Sequence, residues 1–125
     1  MIGIIIAGHD DFAKALADTA QAIMGQQAAL ETIGVRAKQE DLAVVFQTAL
    51  EKVKQNNTEI LWLVDIFGGT PFHYASRLVV KDAQQHLVTG ANLPMVLQAL
   101  ANREEGAAEL AAELERESKT AIRSM

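Results

Sequence analysis

The sequence predicts an α/β fold with a doubly wound, mainly parallel sheet of strand order 2-1-3-4, helices on both faces and room for an additional edge strand. Two observations lead to this prediction. Short apolar runs alternate with segments in which apolar residues recur every three or four positions. The run at 60–64 is apolar throughout, which is typical of a central parallel strand covered on both faces.

The first strand–helix pair is predicted from a strand over about 2–6 and a helix over about 11–24. Apolar residues repeat on one face of this helix at Phe12, Leu16, Ala20 and Ile23. Gly25 is a plausible helix stop. The second pair joins a weakly marked strand over about 30–35 to a clearly amphipathic helix over about 39–55.

The third and fourth pairs follow the same logic. After strand 60–64, Thr70 and Pro71 are predicted to be the N-cap and first residue of a helix that ends near Val80. Residues 86–89 form a short strand, and a helix from Pro94 to about Asn102 follows. The charged tail from residue 104 onward predicts one more helix with a solvated face.

Composition limits the class of protein. With 125 residues, half of them hydrophobic, the chain is expected to form one domain over 1–125. There is no cysteine, so disulfides and thiolate metal sites are excluded. A net charge of −5 argues against nucleic acid as the main partner. The apolar start is too short for a membrane span and lacks the features of a signal peptide, which favours a cytoplasmic protein.

Two polar residues follow neighbouring strands of the predicted sheet. His9 comes after the first strand and Asp65 directly after the third. In the order 2-1-3-4 the chain direction reverses between these two strands, and ligands bind in the crevice at such a switch point. The topology therefore predicts that His9 and Asp65 lie close together at the carboxyl edge of the sheet.

This pairing favours phosphoryl chemistry on His9. A neutral imidazole has one nitrogen lone pair that can accept a phosphoryl group, and Asp65 could fix the tautomer and stabilise the charge that grows on the ring. Gly68, Gly69 and Thr70 would present backbone N–H groups and a hydroxyl to the anion at a helix start. Each residue also has a simpler interpretation: His9 only packs or caps, Asp65 is a turn or capping residue, and Gly68 and Gly69 form an ordinary tight turn before a helix.

Further residues near the crevice are accessory candidates. Asn92 either hydrogen-bonds a neighbouring loop of the site or simply shapes a turn, and His73 lies in the first turn of the third helix. No dinucleotide fingerprint, P-loop or close metal-ligand spacing occurs, so no cofactor and no metal are expected.

These motifs make the chain resemble the IIA domain of the mannose-type sugar phosphotransferase system over nearly its whole length. The resemblance rests on His9 with Phe12 and Ala13, on the stretch LVDIFGGTPF at 63–72 continuing to Arg77, and on GANLPM at 90–95. It implies a phosphocarrier that accepts a phosphoryl group on His9 from the histidine-containing protein HPr and passes it to a IIB component. Asp65 would orient the histidine, and the Gly69–Thr70 region would cradle the phosphate.

The resemblance also implies a homodimer, which is common in the family, and only an indirect link to the membrane, through the IIC/IID permease. The chain ends without a IIB segment, which suggests a stand-alone subunit. It departs from the family at Asp10, where glycine is usual, and at His73, where asparagine is usual. Two other readings stay open: a regulatory protein-binding module of the same fold, and the phosphotransfer subunit of a dihydroxyacetone kinase.

Overall fold

The computed structural model describes residues 1–125 as a four-stranded parallel sheet flanked by five helices. The strands are β1 (Gly3–His9), β2 (Leu30–Val35), β3 (Ile60–Val64) and β4 (Gln85–Thr89). The helices are α1 (Phe12–Met24), α2 (Leu42–Lys54), α3 (Thr70–Val79), α4 (Leu93–Ala101) and α5 (Ala107–Glu117), and a short 3₁₀ helix follows at Ser118–Ala121. No helix has the length and hydrophobicity needed to span a membrane.

The strand order is β2-β1-β3-β4, so the predicted topology is confirmed. Every pair is parallel, and β1 lies between β2 and β3. There is no fifth strand, which leaves β4 as an open edge. The chain direction reverses between β1 and β3, and this reversal opens a crevice beyond the carboxyl ends of the two strands.

The core has two layers because side chains alternate across a strand. Ile4 and Ile6 pack on one face with α1, α4 and α5, while Ile5 and Ala7 pack on the other with α2 and α3. All five residues of β3 are buried, as the sequence predicts for a central strand. Trp62, on β3, is fully buried and its indole N–H donates to Gln85 at 2.8 Å.

Several element boundaries differ from the prediction. Strand β1 runs on to His9 because the residues after 6 continue to pair with β2, up to His9 opposite Val35. Helix α2 begins at Leu42 instead of near 39, since Gln39 folds back and accepts a hydrogen bond from the Arg36 N–H at 3.0 Å. Helix α1 ends at Met24, and Gly25 follows with a positive φ of 95°, as predicted.

Candidate active site

His9 and Asp65 lie side by side at the carboxyl edge of the sheet. His9 ends β1 and Asp65 follows β3, and the two strands pair up to Ala7 opposite Val64. The imidazole is half exposed, at 47%, whereas only 11% of the Asp65 side chain is exposed. The carboxylate is thus largely buried, whereas the ring is accessible from outside.

Three hydrogen bonds fix the carboxylate against the histidine. Oδ2 of Asp65 lies 2.6 Å from Nδ1 of His9 and accepts the His9 backbone N–H at 2.9 Å. Oδ1 accepts the N–H of Ile66 at 2.8 Å. An ionised carboxylate only accepts hydrogen bonds, so Nδ1 is the nitrogen that carries the proton. The lone pair of a neutral His9 is therefore on Nε2.

The electrostatics of Asp65 favour its ionised form. Burial raises the pKa of the carboxyl group, but the hydrogen bonds from the His9 ring and from the backbone N–H groups of His9 and Ile66 outweigh burial. The net result is a pKa below the usual range for aspartate. Asp65 therefore stays ionised and accepts the Nδ1 proton near neutral pH.

Small residues make this close packing possible. A Cβ on Gly8 would stand 3.3 Å from the Asp65 carboxyl group, and a Cβ on Gly69 would stand 3.1 Å from Cε1 of His9. Gly68 has a positive φ of 86° and turns the chain toward α3. Of the predicted anion-binding residues, Gly69 lies beside the histidine ring and Thr70 lines the same pocket as His9, while Gly68 shapes the turn.

The N-terminus of α3 lies beside the histidine, one residue earlier than predicted. Gly69 has the extended backbone of an N-cap, Thr70 is the first helical residue and Pro71 the second. Because Thr70 already belongs to the helix and Gly69 is its N-cap, the prediction that Thr70 is the N-cap is wrong. Proline is tolerated there because the first helical N–H groups need no partner within the helix.

Of the accessory candidates, Asn92 and His73 lie outside the pocket of His9 and Asp10 lines it. The Asn92 side chain caps α4, accepting from the Met95 N–H at 2.9 Å, and donates to the Gly90 carbonyl at 3.2 Å. It lines a groove on the β4 side of the sheet and not the pocket that contains His9. His73 is exposed on α3, with its ring 5.8 Å from that of Phe72. Asp10 is exposed next to His9 and has a positive φ of 51°.

The structure adds two cations that the sequence analysis did not single out. A pocket of about 450 Å³ is lined by His9 and Thr70 and also by Arg36 and Lys38. Both cations lie in the loop after β2, which is the neighbour of β1 in the sheet. The signal was available, because Arg36 directly follows the predicted second strand and must reach the same edge as His9 if that strand lies beside the first.

Comparisons with known proteins identify the family to which this chain belongs. The family model for the PTS system fructose IIA component matches residues 3–115. The fructose-specific EIIA component of Bacillus subtilis is 36% identical, over 83% of this chain and 72% of its own length. The chain belongs to the mannose-type EIIA family of the sugar phosphotransferase system. It is therefore a component of such a system, with a transferase role.

Other EIIA relatives share the fold and part of the sequence. The EIIA structure from Streptococcus agalactiae superposes with a TM-score of 0.88, at 29% identity, and covers 99% of this chain and 97% of that one. The mannose-specific EIIAB component of Escherichia coli is 30% identical over 83% of this chain. This chain covers only 32% of that longer protein.

Proposed function

We propose that this EIIA protein is a phosphocarrier: His9 accepts a phosphoryl group from phosphorylated HPr and passes it to a IIB component. The observation that carries the proposal is the 2.6 Å contact between Nδ1 of the half-exposed His9 and Oδ2 of Asp65. A histidine held in one tautomer by a covered carboxylate has a defined nucleophilic nitrogen, and that nitrogen is accessible to a partner protein.

The transfer step follows from this tautomer. The Nε2 lone pair attacks phosphorus and forms a new P–N bond, while the P–N bond of the donor phosphohistidine breaks and its electron pair stays on the donor nitrogen. The proton on Nδ1 remains there, and Asp65 stabilises the positive charge that the ring acquires. In the transfer to the IIB component, a nucleophile of IIB forms the new bond to phosphorus, the P–Nε2 bond of His9 breaks, and its electron pair returns to Nε2.

The phosphoryl group would lie against the start of α3. Gly69 lies beside the His9 ring with no room for a side chain between them, and Thr70 lines the same pocket as His9. The first backbone N–H groups of a helix and its dipole attract anions. We assign these two residues to phosphate binding, with Gly68 as the turn that positions them.

Exposed apolar side chains around the site support protein partners. Ile66 is 54% exposed and Phe67 78%, and both lie in the turn between Asp65 and α3. Clustered apolar side chains on a surface mark contact sites for other proteins. These side chains lie in the turn that also brings Gly69 to the His9 ring, as expected of a protein that exchanges a phosphoryl group by docking with HPr and a IIB component.

The remaining assignments also belong to this proposal. Residues 1–125 would form one EIIA domain that acts in the cytoplasm and meets the membrane only through the IIC/IID permease. We propose a homodimer, because β4 is an open strand edge and a largely apolar groove of about 800 Å³ lies beside it. Sedimentation equilibrium giving twice the chain mass would support the dimer, and a concentration-independent monomer would refute it.

The test is phosphoryl transfer from phosphoenolpyruvate through enzyme I and HPr to wild type, His9→Ala and His73→Ala, followed by a chase with a IIB protein. We expect acid-labile label on wild type and His73→Ala, none on His9→Ala, and loss of label to IIB. Label that never leaves His9 would favour the regulatory module. Label that requires a dihydroxyacetone kinase subunit would favour the kinase reading.

A further inference from the structure

Arg36 bridges two carboxylates next to His9. Its guanidinium donates to Oδ1 of Asp11 at 2.5 Å and to Oδ1 of Asp10 at 3.3 Å. All three side chains are more than half exposed. The backbone holds the group together, because the Asp10 N–H donates to the Val35 carbonyl at 3.0 Å. We call Asp10, Asp11 and Arg36 the rim triad.

The rim triad adjoins the pocket of His9. Val35 stands opposite His9 in the β1–β2 register, and Arg36 is the next residue along the chain. Neighbouring strands lie about 5 Å apart, which is well within the length of an arginine side chain. Arg36, Asp10 and His9 all line the pocket of about 450 Å³.

The charge balance of this pocket changes on phosphorylation. In the unmodified protein one guanidinium faces two carboxylates, and its hydrogen bond and charge lower the pKa of Asp11, so both partners are ionised. A phosphoryl group on Nε2 brings about two further negative charges into the same pocket. Phosphate oxygens accept the parallel N–H groups of arginine at least as well as a carboxylate does.

We propose that Arg36 exchanges partners: Asp10 and Asp11 hold it in the unmodified protein, and it turns to the phosphoryl group once His9 is phosphorylated. This inference rests on the proposed phosphocarrier function and adds a phosphate-binding residue to it. The exchange stabilises the phosphorylated form and exposes two unpaired carboxylates at the rim. The affinity of His9 for the phosphoryl group is then set by competition between the aspartates and the phosphate for one guanidinium.

The first test measures the equilibrium between phosphorylated HPr and phosphorylated EIIA. We expect Arg36→Gln to be labelled on His9 but to shift this equilibrium toward HPr by about three- to ten-fold, as one partly exposed charged contact is lost. Lys52→Gln is the matched control, since it removes an exposed cation paired with Glu31 at the opposite edge of the sheet. It should leave the equilibrium unchanged.

The second test separates competition from a structural role. Asp11→Asn frees Arg36 and should shift the equilibrium toward EIIA, opposite to Arg36→Gln. In the double variant the effect of Asp11→Asn should be largely lost, whereas simple repulsion between Asp11 and phosphate would persist. In nitrogen-15 NMR spectra of wild type, the Arg36 Nε–H signal should shift on phosphorylation. Spectra of Arg36→Gln identify this signal, because it is missing from them both before and after phosphorylation.

The outcomes are distinguishable. Normal labelling of all variants with an equilibrium in Arg36→Gln equal to that in Lys52→Gln would overturn the partner exchange and leave the phosphocarrier intact. The partner exchange would also be overturned if Asp11→Asn and Arg36→Gln both shifted the equilibrium in the same direction. Absence of label on His9 of folded wild type would overturn the phosphocarrier proposal and this inference with it.

Discussion

At the scale of single residues, the two oxygens of Asp65 have different tasks. Oδ2 accepts both the backbone N–H and the Nδ1 proton of His9, and Oδ1 accepts the Ile66 N–H. An asparagine has only one acceptor oxygen. If the asparagine NH₂ group takes the place of Oδ1, it faces the Ile66 N–H, which is also a donor. If it takes the place of Oδ2, it faces the His9 backbone N–H and donates to Nδ1, which favours the tautomer whose Nε2 is protonated.

We therefore expect Asp65→Asn to fold but to accept phosphoryl groups about 10- to 100-fold more slowly, in line with the loss of a group that orients a reactive histidine. Initial rates of labelling from phosphorylated HPr in a rapid-quench experiment measure this. Asp18→Asn is the control, because Asp18 forms only an exposed ion pair with Lys14. A rate for Asp65→Asn equal to that of the control would remove Asp65 from the mechanism.

The sequence predicts the meeting of His9 and Asp65 because strand ends in a parallel sheet are fixed by topology. The same topology could have placed Arg36 at this edge, because Arg36 directly follows β2, but it could not predict which side chains Arg36 contacts. Its contact with Asp10 depends on a left-handed backbone at Asp10, with φ of 51°, which a non-glycine residue rarely adopts. Neither periodicity nor spacing encodes such a local turn, so the side chains around the rim are visible only in three dimensions.

At the scale of elements, Gly34 lets β2 approach the turn after β1. A Cβ at this position would stand 2.2 Å from the Asp10 carbonyl oxygen, which is backbone and cannot move aside cheaply. We expect Gly34→Ala to lower the free energy of unfolding by about 1–3 kcal/mol, as overpacking does. Because the turn directly follows His9, labelling of the folded variant should slow as well.

Urea unfolding and labelling of Gly34→Ala measure both effects. Gly25→Ala is a useful comparison, because its Cβ would meet open space and its cost comes only from a positive φ of 95°. Loss of stability in both variants with slow labelling in Gly34→Ala alone is the expected pattern. Unchanged labelling in Gly34→Ala would mean that the turn tolerates displacement.

Asp82 joins α2 to the start of β4. Its carboxylate accepts hydrogen bonds from the Gln84 N–H, from Lys54 at the end of α2 and from the Gln85 side chain. In that order these contacts lower the pKa of Asp82 to about 2 from 3.8. A lowered pKa means that folding favours the ionised form, so the stability that Asp82 contributes is complete above the ordinary aspartate pKa and is lost as pH falls toward 2.

Wild type should accordingly be more stable than Asp82→Asn at pH 5, and the difference should shrink as the pH falls to 2. Urea midpoints at several pH values between these limits measure it. A difference that stays constant with pH would show that the contacts of Asp82 do not depend on its charge.

Element types and their order follow from the sequence because buried strands and amphipathic helices have different apolar periods. The boundaries follow less well. The early start of α3 depends on Gly69 and Thr70, which have no apolar signal, and the late start of α2 depends on the side chain of Gln39. At α2 a side chain that bonds to nearby backbone displaces the helix start, and its choice of partner is settled by the folded surroundings.

At the scale of the whole molecule, the edge where the strands end and the opposite edge, where they begin, have different roles. The carboxyl edge carries His9 and Asp65, whereas the opposite edge is tied together by Arg103, which is 5% exposed. Its guanidinium donates to the carbonyls of Ile2, Ala28 and Ala29, across separations of 101, 75 and 74 residues. One side chain thus joins the loop after α4 to the starts of β1 and β2.

This division predicts that stability and chemistry can be changed independently. Arg103→Met keeps much of the side-chain volume but removes the donors that Arg103 supplies to the carbonyls of the buried Ile2, of Ala28 and of Ala29, and it should lower the free energy of unfolding by about 2–4 kcal/mol. Because the lost contacts lie at the edge away from His9, the variant should still be labelled by phosphorylated HPr at a rate within two-fold of wild type, roughly the scatter expected for uncoupled sites. Thermal unfolding and labelling at 10 °C, where the variant remains folded, measure the two quantities. A labelling rate that falls in step with stability would show that the sheet couples its edges, and that the position of His9 depends on the packing of the whole molecule.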